Sequence, residues 1–180
     1  MRYLLIMAVT LFVSTKAWAS PYWLVNGGSN GTGNQSSIGI EVGGTRAIVN
    51  KYPLSAEMSL NFDFDTVPSD IRFNSNKLNE NYTTRKAKDG PEVGYLLKSG
   101  VNLDDWVKNL TLQVGAGWAL RSEVTVATGV PSGTQFLVGG RSTAFYPAGY
   151  GGLMYRLENI CFSGGYNNRR GVVVGAGSSW

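Results

Sequence analysis

Twelve consecutive residues, 54–65, alternate strictly between apolar and polar side chains. The apolar positions are Leu54, Ala56, Met58, Leu60, Phe62 and Phe64, and serine, glutamate, asparagine or aspartate stands between them. Residues 109–121 repeat the pattern, with small or polar residues at the alternate positions. A period of two is the repeat of a β-strand that has one face in apolar surroundings. The two segments therefore predict an all-β fold with long strands.

Six further segments fit the same template less cleanly. In chain order, the predicted strands are residues 21–28, 36–48, 54–65, 92–103, 109–121, 144–157, 160–167 and 171–180. Short turns at 49–53, 104–108 and 158–159 alternate with connections at 30–35, 66–91, 122–143 and 167–171, which are generally longer. An even number of strands lets the first pair with the last, so that no edge is left open in lipid. The eight strands and the alternation of short and longer connections predict an eight-stranded antiparallel up-and-down transmembrane β-barrel.

The first 19 residues have the pattern of a secretory signal peptide. Arg2 gives a positive start, residues 3–13 are apolar, and Ala17-Trp18-Ala19 matches an A-x-A cleavage site. Residues 20–180 are then the barrel domain. Removing Arg2 and Lys16 from the 16 basic residues leaves 14 against 12 acidic ones. A net charge of only +2 gives no reason to expect a nucleic-acid partner.

The strand count and the alternation of turns and loops resemble the small eight-stranded outer-membrane proteins of Gram-negative bacteria. This family includes the OmpA membrane domain, the OmpX/Ail proteins and the opacity-type proteins. The most specific part of the resemblance is the last strand, which looks like the signal that the barrel-assembly machinery reads. The matching positions are Val172, Val174, Ala176 and Trp180, whereas Ser178 is polar where the family usually has an apolar residue.

The resemblance implies an integral outer-membrane barrel in contact with membrane lipid and lipopolysaccharide. It implies a structural or surface-interaction role, in which long extracellular loops meet a host or envelope ligand. No catalysis is expected.

The charged residues on the predicted inward faces imply a polar interior. Eight strands enclose a space that side chains fill, and buried charges are costly unless they are paired. The inward charged positions are Glu41, Glu57, Lys98, Arg121 and Arg156. We predict a network that pairs Glu41 and Glu57 with Lys98 and Arg156. One alternative is that some of these charges lie near the rim, in water, and another is a narrow channel lined by the same charges.

The absence of histidine from the sequence argues against an enzyme. The resemblance also brings in barrel enzymes that modify lipid A or phospholipid, and these rely on a histidine. A serine nucleophile needs a general base, and we interpret Asp63 and Asp65 as polar residues of the rim. No catalytic residue, cofactor or metal is expected, and the single cysteine, Cys161, cannot form an internal disulfide.

A soluble carrier of the lipocalin type is the other alternative. Such a carrier needs an apolar interior and a polar exterior. Alternation along the sequence does not say which face of a strand lies inside.

Two of the long connections carry candidate binding features. Arg85, Lys86 and Lys88 are predicted to contact an anionic surface, either lipopolysaccharide phosphates or an anionic host polymer, and a solvated loop is the alternative. Val124, Val126 and Phe136 give the second connection enough apolar surface to extend a hairpin above the membrane. Such a hairpin offers an edge for strand addition.

Aromatic residues near the ends of the predicted strands indicate two membrane boundaries. Tyrosine and tryptophan favour the headgroup level of a bilayer. The expected girdles are Tyr52, Trp106 and Trp180 at the short-turn end and Phe62, Phe64 and Tyr95 at the loop end.

Overall fold

Eight antiparallel strands close into a barrel in the computed structural model, which describes residues 20–29, 35–48, 52–63, 67, 81–130 and 132–180. The strands are β1 (Pro21–Ser29), β2 (Gln35–Ile48), β3 (Tyr52–Asp63), β4 (Asn81–Asn102), β5 (Leu110–Val130), β6 (Gln135–Leu157), β7 (Ile160–Asn167) and β8 (Gly171–Ser179). Each strand pairs with its neighbours in the chain, and β1 closes the ring against β8. The predicted all-β, eight-stranded up-and-down fold is confirmed.

The two ends of the barrel differ in their connections. The ends of β2, β4 and β6 are joined to the next strand by short connections, and we call this end the turn end. The opposite end, the loop end, carries the connections that follow β1, β3, β5 and β7. The predicted leader, residues 1–19, lies outside the described residues. Among those that are described, no helix is long and apolar enough to cross a bilayer.

Apolar side chains cover the outside of the wall and polar ones fill the inside. Leu112 and Val114 on β5 are 41% and 58% exposed, whereas Lys98 on the neighbouring strand is 2% exposed. Further large exposed apolar residues of the wall are Trp23, Val25, Ile38, Ile40, Met58, Leu97, Val101, Leu153, Leu157, Ile160, Phe162, Val172 and Val174. This arrangement is the reverse of the one that a soluble ligand carrier requires.

Strands β4, β5 and β6 are longer than the alternation predicts. Residues 81–91, which we expected in a connection, belong to β4, and residues 122–130 and 135–143 extend β5 and β6. We call residues 81–88, 123–130 and 135–142 the upper sheet. The β4 part of the upper sheet is rich in charged and polar residues, and neither of its faces belongs to the apolar outer surface of the wall. The period-two apolar pattern is therefore weak in residues 81–88. Backbone pairing, from Asn81 opposite Val130 to Lys88 opposite Glu123, forms the sheet nevertheless.

Two bulges separate the upper sheet from the wall. On β4, the register shifts between Lys88 and Glu92, where Gly90 has a φ of 94°. On β6, the partners of Glu123 and Thr125 are Ser142 and Val138, and Gly139 between them has a φ of 78°. A bulge bends a strand and increases its local twist. Both neighbours of β5 are therefore bent at one level.

The upper sheet has an apolar core of its own. Val124, Val126 and Leu137 form a buried cluster, against which Val67 and Ala87 pack. Phe136 is also buried, and its ring meets that of Tyr82 edge-on at 6.0 Å between centroids. The three apolar residues that suggested an extended hairpin are thus all buried in this sheet.

Exposed aromatic side chains lie toward both ends of the wall. At the turn end these include the predicted Tyr52, Trp106 and Trp180, together with Trp23 and Tyr155. Toward the loop end Phe62 is exposed and Tyr95 is half-buried against Trp118, while Phe64 lies outside the described residues. Phe145, at 73% exposure, and Tyr166 extend the loop-end set. The predicted assembly positions Val172, Val174 and Ala176 on β8, and Trp180 directly after it, are all exposed.

Candidate functional site

Lys98 lies at the centre of the barrel between two carboxylates. Its Nζ is 2.7 Å from Glu41 Oε2 and 2.5 Å from Glu57 Oε2. The register places Glu41 on β2 directly opposite Glu57 on β3, where like charges repel. The same ammonium lies 3.9 Å from the centre of the Tyr150 ring, a favourable cation–π contact. Lys98 therefore offsets a repulsion that the pairing of the strands creates.

Neutral donors satisfy the second oxygen of Glu41. The hydroxyls of Tyr22 and Ser55 each donate to Glu41 Oε1 at 2.7 Å. Gln113 Nε2 in turn donates to the Tyr22 hydroxyl at 3.0 Å. A buried carboxylate tolerates low-dielectric surroundings when its lone pairs are filled in this way.

The second cation of the interior comes from the β7–β8 turn. Arg170 is buried, and it donates to Glu57 Oε1, to Asn26 Oδ1 at 2.7 Å and to Ser37 Oγ at 2.8 Å. We call Tyr22, Glu41, Glu57, Lys98 and Arg170 the lumen cluster. Its two carboxylates balance its two cations, so the interior at this level is neutral.

Sequence reasoning missed Arg170 because the residue lies in a turn, outside the alternating pattern that assigns strand faces. One signal was available. Arg169 and Arg170 stand together in the compact connection that leads to the last strand, close enough to the barrel for their side chains to reach it.

A second charged group, the mouth cluster, lies nearer the loop end. It contains Glu92, Arg121, Glu123, Tyr146 and Arg169. Arg121 NH2 donates to Glu123 Oε1 and to the Tyr146 hydroxyl, both at 2.7 Å. Arg169 pairs with Glu92, and Asn61 Nδ2 donates to the same carboxylate at 2.8 Å. The guanidinium carbons of Arg121 and Arg169 each lie 4.5 Å from the centre of the Tyr146 ring.

The position of Glu123 lowers the pKa of its carboxyl. The Tyr146 hydroxyl donates to it, Arg121 adds a charge-assisted hydrogen bond, and the ammonium of Lys86 lies 3.8 Å away. These donors favour the charged form of the group. Glu123 lies beyond Trp118 and Phe145, the last large exposed apolar residues of the wall on β5 and β6.

The predicted interior residues fall into three places. Glu41, Glu57 and Lys98 meet in the lumen cluster, and Arg121 belongs to the mouth cluster. Arg156 departs from the expected pairing. The β6 residue at the level of Lys98 is Tyr150, and Arg156 is six positions farther on, roughly 20 Å along the strand. That separation exceeds the reach of its side chain.

Arg156 lines a polar recess at the turn end instead. The other lining residues are Thr45, Arg46, Asn102, Asp104, Asn109 and Thr111. Among the residues that the structure describes, the Arg156 guanidinium has no hydrogen bond or ion pair.

The basic residues of the upper sheet do not form one patch. Alternate residues of a strand face opposite sides, so Arg85 is separated from Lys86 and Lys88. Lys86 and Lys88 share a face with Glu123, and the Lys86 ammonium lies 3.8 Å from its carboxylate. Arg85 is exposed and stands opposite Val126 on the other face.

No protein-family model and no curated protein matches the chain. Solved structures of small eight-stranded outer-membrane barrels are similar to it. The crystal structure of Ail, the attachment invasion locus protein of Yersinia pestis, has 11% sequence identity and a TM-score of 0.45, and the match covers 89% of this chain and 95% of Ail. Neisserial surface protein A (NspA) has 12% identity and a TM-score of 0.38, with coverage of 89% and 91%. The barrel assignment for this chain rests on its own strand pairing.

Proposed function

We propose that this chain is an integral outer-membrane β-barrel of a Gram-negative bacterium that acts through the segments at its loop end. The observation that carries the proposal is the inverted distribution of side chains, with large apolar residues outside and ion pairs inside. An apolar surface this extensive is unfavourable in water. Facing acyl chains, the same surface is favourable, and a closed ring leaves no unpaired strand edge in the lipid.

The dimensions of the wall support this proposal. On β5, the outward apolar positions run from Leu110 to Leu120, which is the length of a tilted strand that crosses a hydrocarbon core. Exposed aromatic residues lie toward both ends of this band, as expected at membrane interfaces.

The filled interior favours a structural role over transport. The lumen cluster is neutral, and both arginines of the β7–β8 turn reach carboxylates of the barrel wall. A wide aqueous path would need these buried pairs to separate, which is costly. In planar lipid bilayers we expect no conductance above that of the lipid alone. Stable unitary steps would instead support the narrow-channel alternative.

The upper sheet is the part that we propose to be functional at the cell surface. In the described part of the chain, its β4 and β6 segments each pair with β5 only. Each therefore has an edge that can accept an extended segment of a host or envelope protein.

The exposed Arg85 and Lys86 are further proposed to contact anionic groups such as lipopolysaccharide phosphates. Replacing Arg85, Lys86 and Lys88 by glutamine should weaken binding to lipopolysaccharide micelles. Replacing Lys108, an exposed lysine of the turn end, is the matched control and should leave binding unchanged. Equal effects of the two changes would contradict this contact.

Delivery to the membrane is proposed to depend on recognition of Trp180 and the outward residues of β8 by the barrel-assembly machinery. Trp180→Ala should lower the amount of folded protein in the outer membrane. Trp106→Ala, also an exposed tryptophan at the turn end, is the control and should not.

Fractionation combined with surface proteolysis tests the whole proposal. The processed protein should appear in the outer-membrane fraction and migrate faster on a detergent gel before heating than after it. Protease added to intact cells should cut within or beside the upper sheet and spare the turn end. Recovery of the protein as a water-soluble monomer would contradict the proposal.

A further inference from the structure

The recess around Arg156 at the turn end is charged, partly enclosed and unused by the two ion-pair clusters. It lies between the ends of β2, β4 and β6 and the start of β5. Arg46 and Asp104 stand at its exposed side, with Arg46 NH2 3.8 Å from Asp104 Oδ2. One carboxylate therefore faces two guanidinium groups, and the recess keeps a net positive charge.

Two donors in this recess have no acceptor among the residues that the structure describes. Thr45 is 6% exposed, and its hydroxyl is buried without a hydrogen-bond partner among the described residues. The Arg156 guanidinium, on a half-buried residue, has no acceptor in the same part of the chain. Leaving a buried hydroxyl without an acceptor is costly. A ligand oxygen that accepts from Thr45 would remove this cost, and its pairing with Arg156 would add a charge-assisted hydrogen bond.

The surrounding side chains hold this arrangement in place. Asn102 Nδ2 donates to the Thr45 carbonyl at 2.9 Å, and the Thr111 hydroxyl donates to Asn102 Oδ1 at 2.8 Å. The backbone N–H of Asn109 donates to Asp104 Oδ1 at 2.8 Å, and that of Arg156 donates to the Asn109 carbonyl at 3.1 Å. The amide of Asn102 and the carboxylate of Asp104 are thus engaged, while the hydroxyl of Thr45 and the guanidinium of Arg156 are not.

We propose that this recess binds an oxyanion, a carboxylate or a phosphate group, with one oxygen accepting from Thr45 and Arg156 and with Arg46 adding charge at the rim. A guanidinium presents a planar set of donors that matches both groups. The recess is narrow, so one oxygen atom of the anionic group enters it while the rest of the ligand stays outside. If the loop end faces the cell surface, as proposed above, the recess opens to the periplasm and its ligand comes from there. The binding site itself does not depend on this orientation.

Side-chain and backbone NMR of the detergent-solubilised protein tests the site. Sodium phosphate and sodium acetate are titrated separately, against sodium chloride at equal ionic strength. We expect the Arg156 Nε–H and Thr45 amide signals to shift saturably with phosphate, acetate or both, and not with chloride. Saturation with acetate identifies a carboxylate-type ligand, and saturation with phosphate alone identifies a phosphate-type ligand. Non-saturable shifts with both, or equal shifts with chloride, would overturn the proposal.

Variants make the test specific to these side chains. Arg156→Gln should weaken the binding that the Thr45 amide reports by about tenfold or more, and Thr45→Val should weaken the shift at Arg156. Lys108→Gln, which removes an exposed cation from the same end of the barrel, should leave both unchanged. Heat-modifiable migration checks that each variant folds. The NMR measurement needs only the folded barrel. A failure to bind anions would therefore leave the membrane proposal intact, and a failure of the membrane proposal would leave the anion site intact. Unchanged affinity in folded Arg156→Gln protein would exclude the site.

Discussion

Lys98 is the residue whose charge offsets the repulsion between Glu41 and Glu57, which the strand register places opposite each other. Without its ammonium, Glu41 and Glu57 face each other with the guanidinium of Arg170 as the one remaining cation of the lumen cluster. We expect Lys98→Met to lower the free energy of unfolding by about 3–5 kcal/mol, the usual result of removing one partner from a buried pair. Urea unfolding in lipid vesicles measures the loss.

The matched control for this change is Lys108→Met, since Lys108 is an exposed lysine of the turn end. A surface change of this kind should alter the free energy of unfolding by no more than about 0.5 kcal/mol. Similar losses in the two variants would mean that the lumen cluster contributes nothing specific.

A second residue-scale prediction concerns Glu123, whose pKa is lowered chiefly by the Tyr146 hydroxyl and then by Arg121. A carboxyl with a lowered folded-state pKa stabilises the fold above its unfolded pKa, and this contribution is lost as the pH falls through the folded-state value. Tyr146→Phe removes the largest cause, so the pKa should rise toward the ordinary carboxyl value. A ¹³C carboxyl NMR titration measures the change. Tyr155→Phe, on the exposed face of the same strand, should not move it.

At the scale of elements, the sequence predicted those strands whose two faces meet different surroundings. The wall segments of β2, β3 and β5 have apolar residues on one side and polar ones on the other. The predicted bounds of β2 and β3 and the predicted start of β5 lie within two residues of the observed ones. The upper part of β4 has no such contrast, and the polar character of residues 66–91 favours a loop there. Arg170 was missed for the related reason that a turn assigns no face.

The β7–β8 turn offers an internal comparison between adjacent arginines. The side chain of Arg170 is almost fully buried against Glu57, while that of Arg169 keeps about a quarter of its surface exposed beside Glu92. Arg170→Gln should therefore lower the free energy of unfolding by about 3–5 kcal/mol and Arg169→Gln by roughly 1.5–3 kcal/mol. Urea unfolding of the two variants gives the order, and the reverse order would contradict the assigned roles.

We expect the upper sheet to be able to unfold while the wall of the barrel stays folded. Val126→Asp places a charge in its buried cluster, which is costly without a partner. We expect hydrogen exchange to accelerate at residues 124–130 while heat-modifiable migration of the barrel persists. Val130→Asp, at an exposed position of the same strand, should leave exchange at residue 126 unchanged. Loss of barrel folding in Val126→Asp would show that the two parts are one cooperative unit.

For the whole molecule, the outer surface should be sensitive to charge as a function of depth. Val114, midway along the β5 wall, is exposed, and its replacement by arginine should cost about 2–4 kcal/mol in a bilayer. Val107→Arg, in the exposed connection between β4 and β5, should cost at most about 1 kcal/mol. Equilibrium folding into vesicles measures both values. Equal costs would indicate that the wall does not face hydrocarbon.

The bulges on β4 and β6 mark the level above which the chain can accept insertions and deletions. On each strand, three residues stand opposite one residue of β5, so inward and outward positions keep their alternation across the interruption. An insertion or deletion in the segments above can be absorbed there before it reaches the pairing of Glu92 with Arg121. The segments of the upper sheet can thereby change in length while the strands of the wall keep their register.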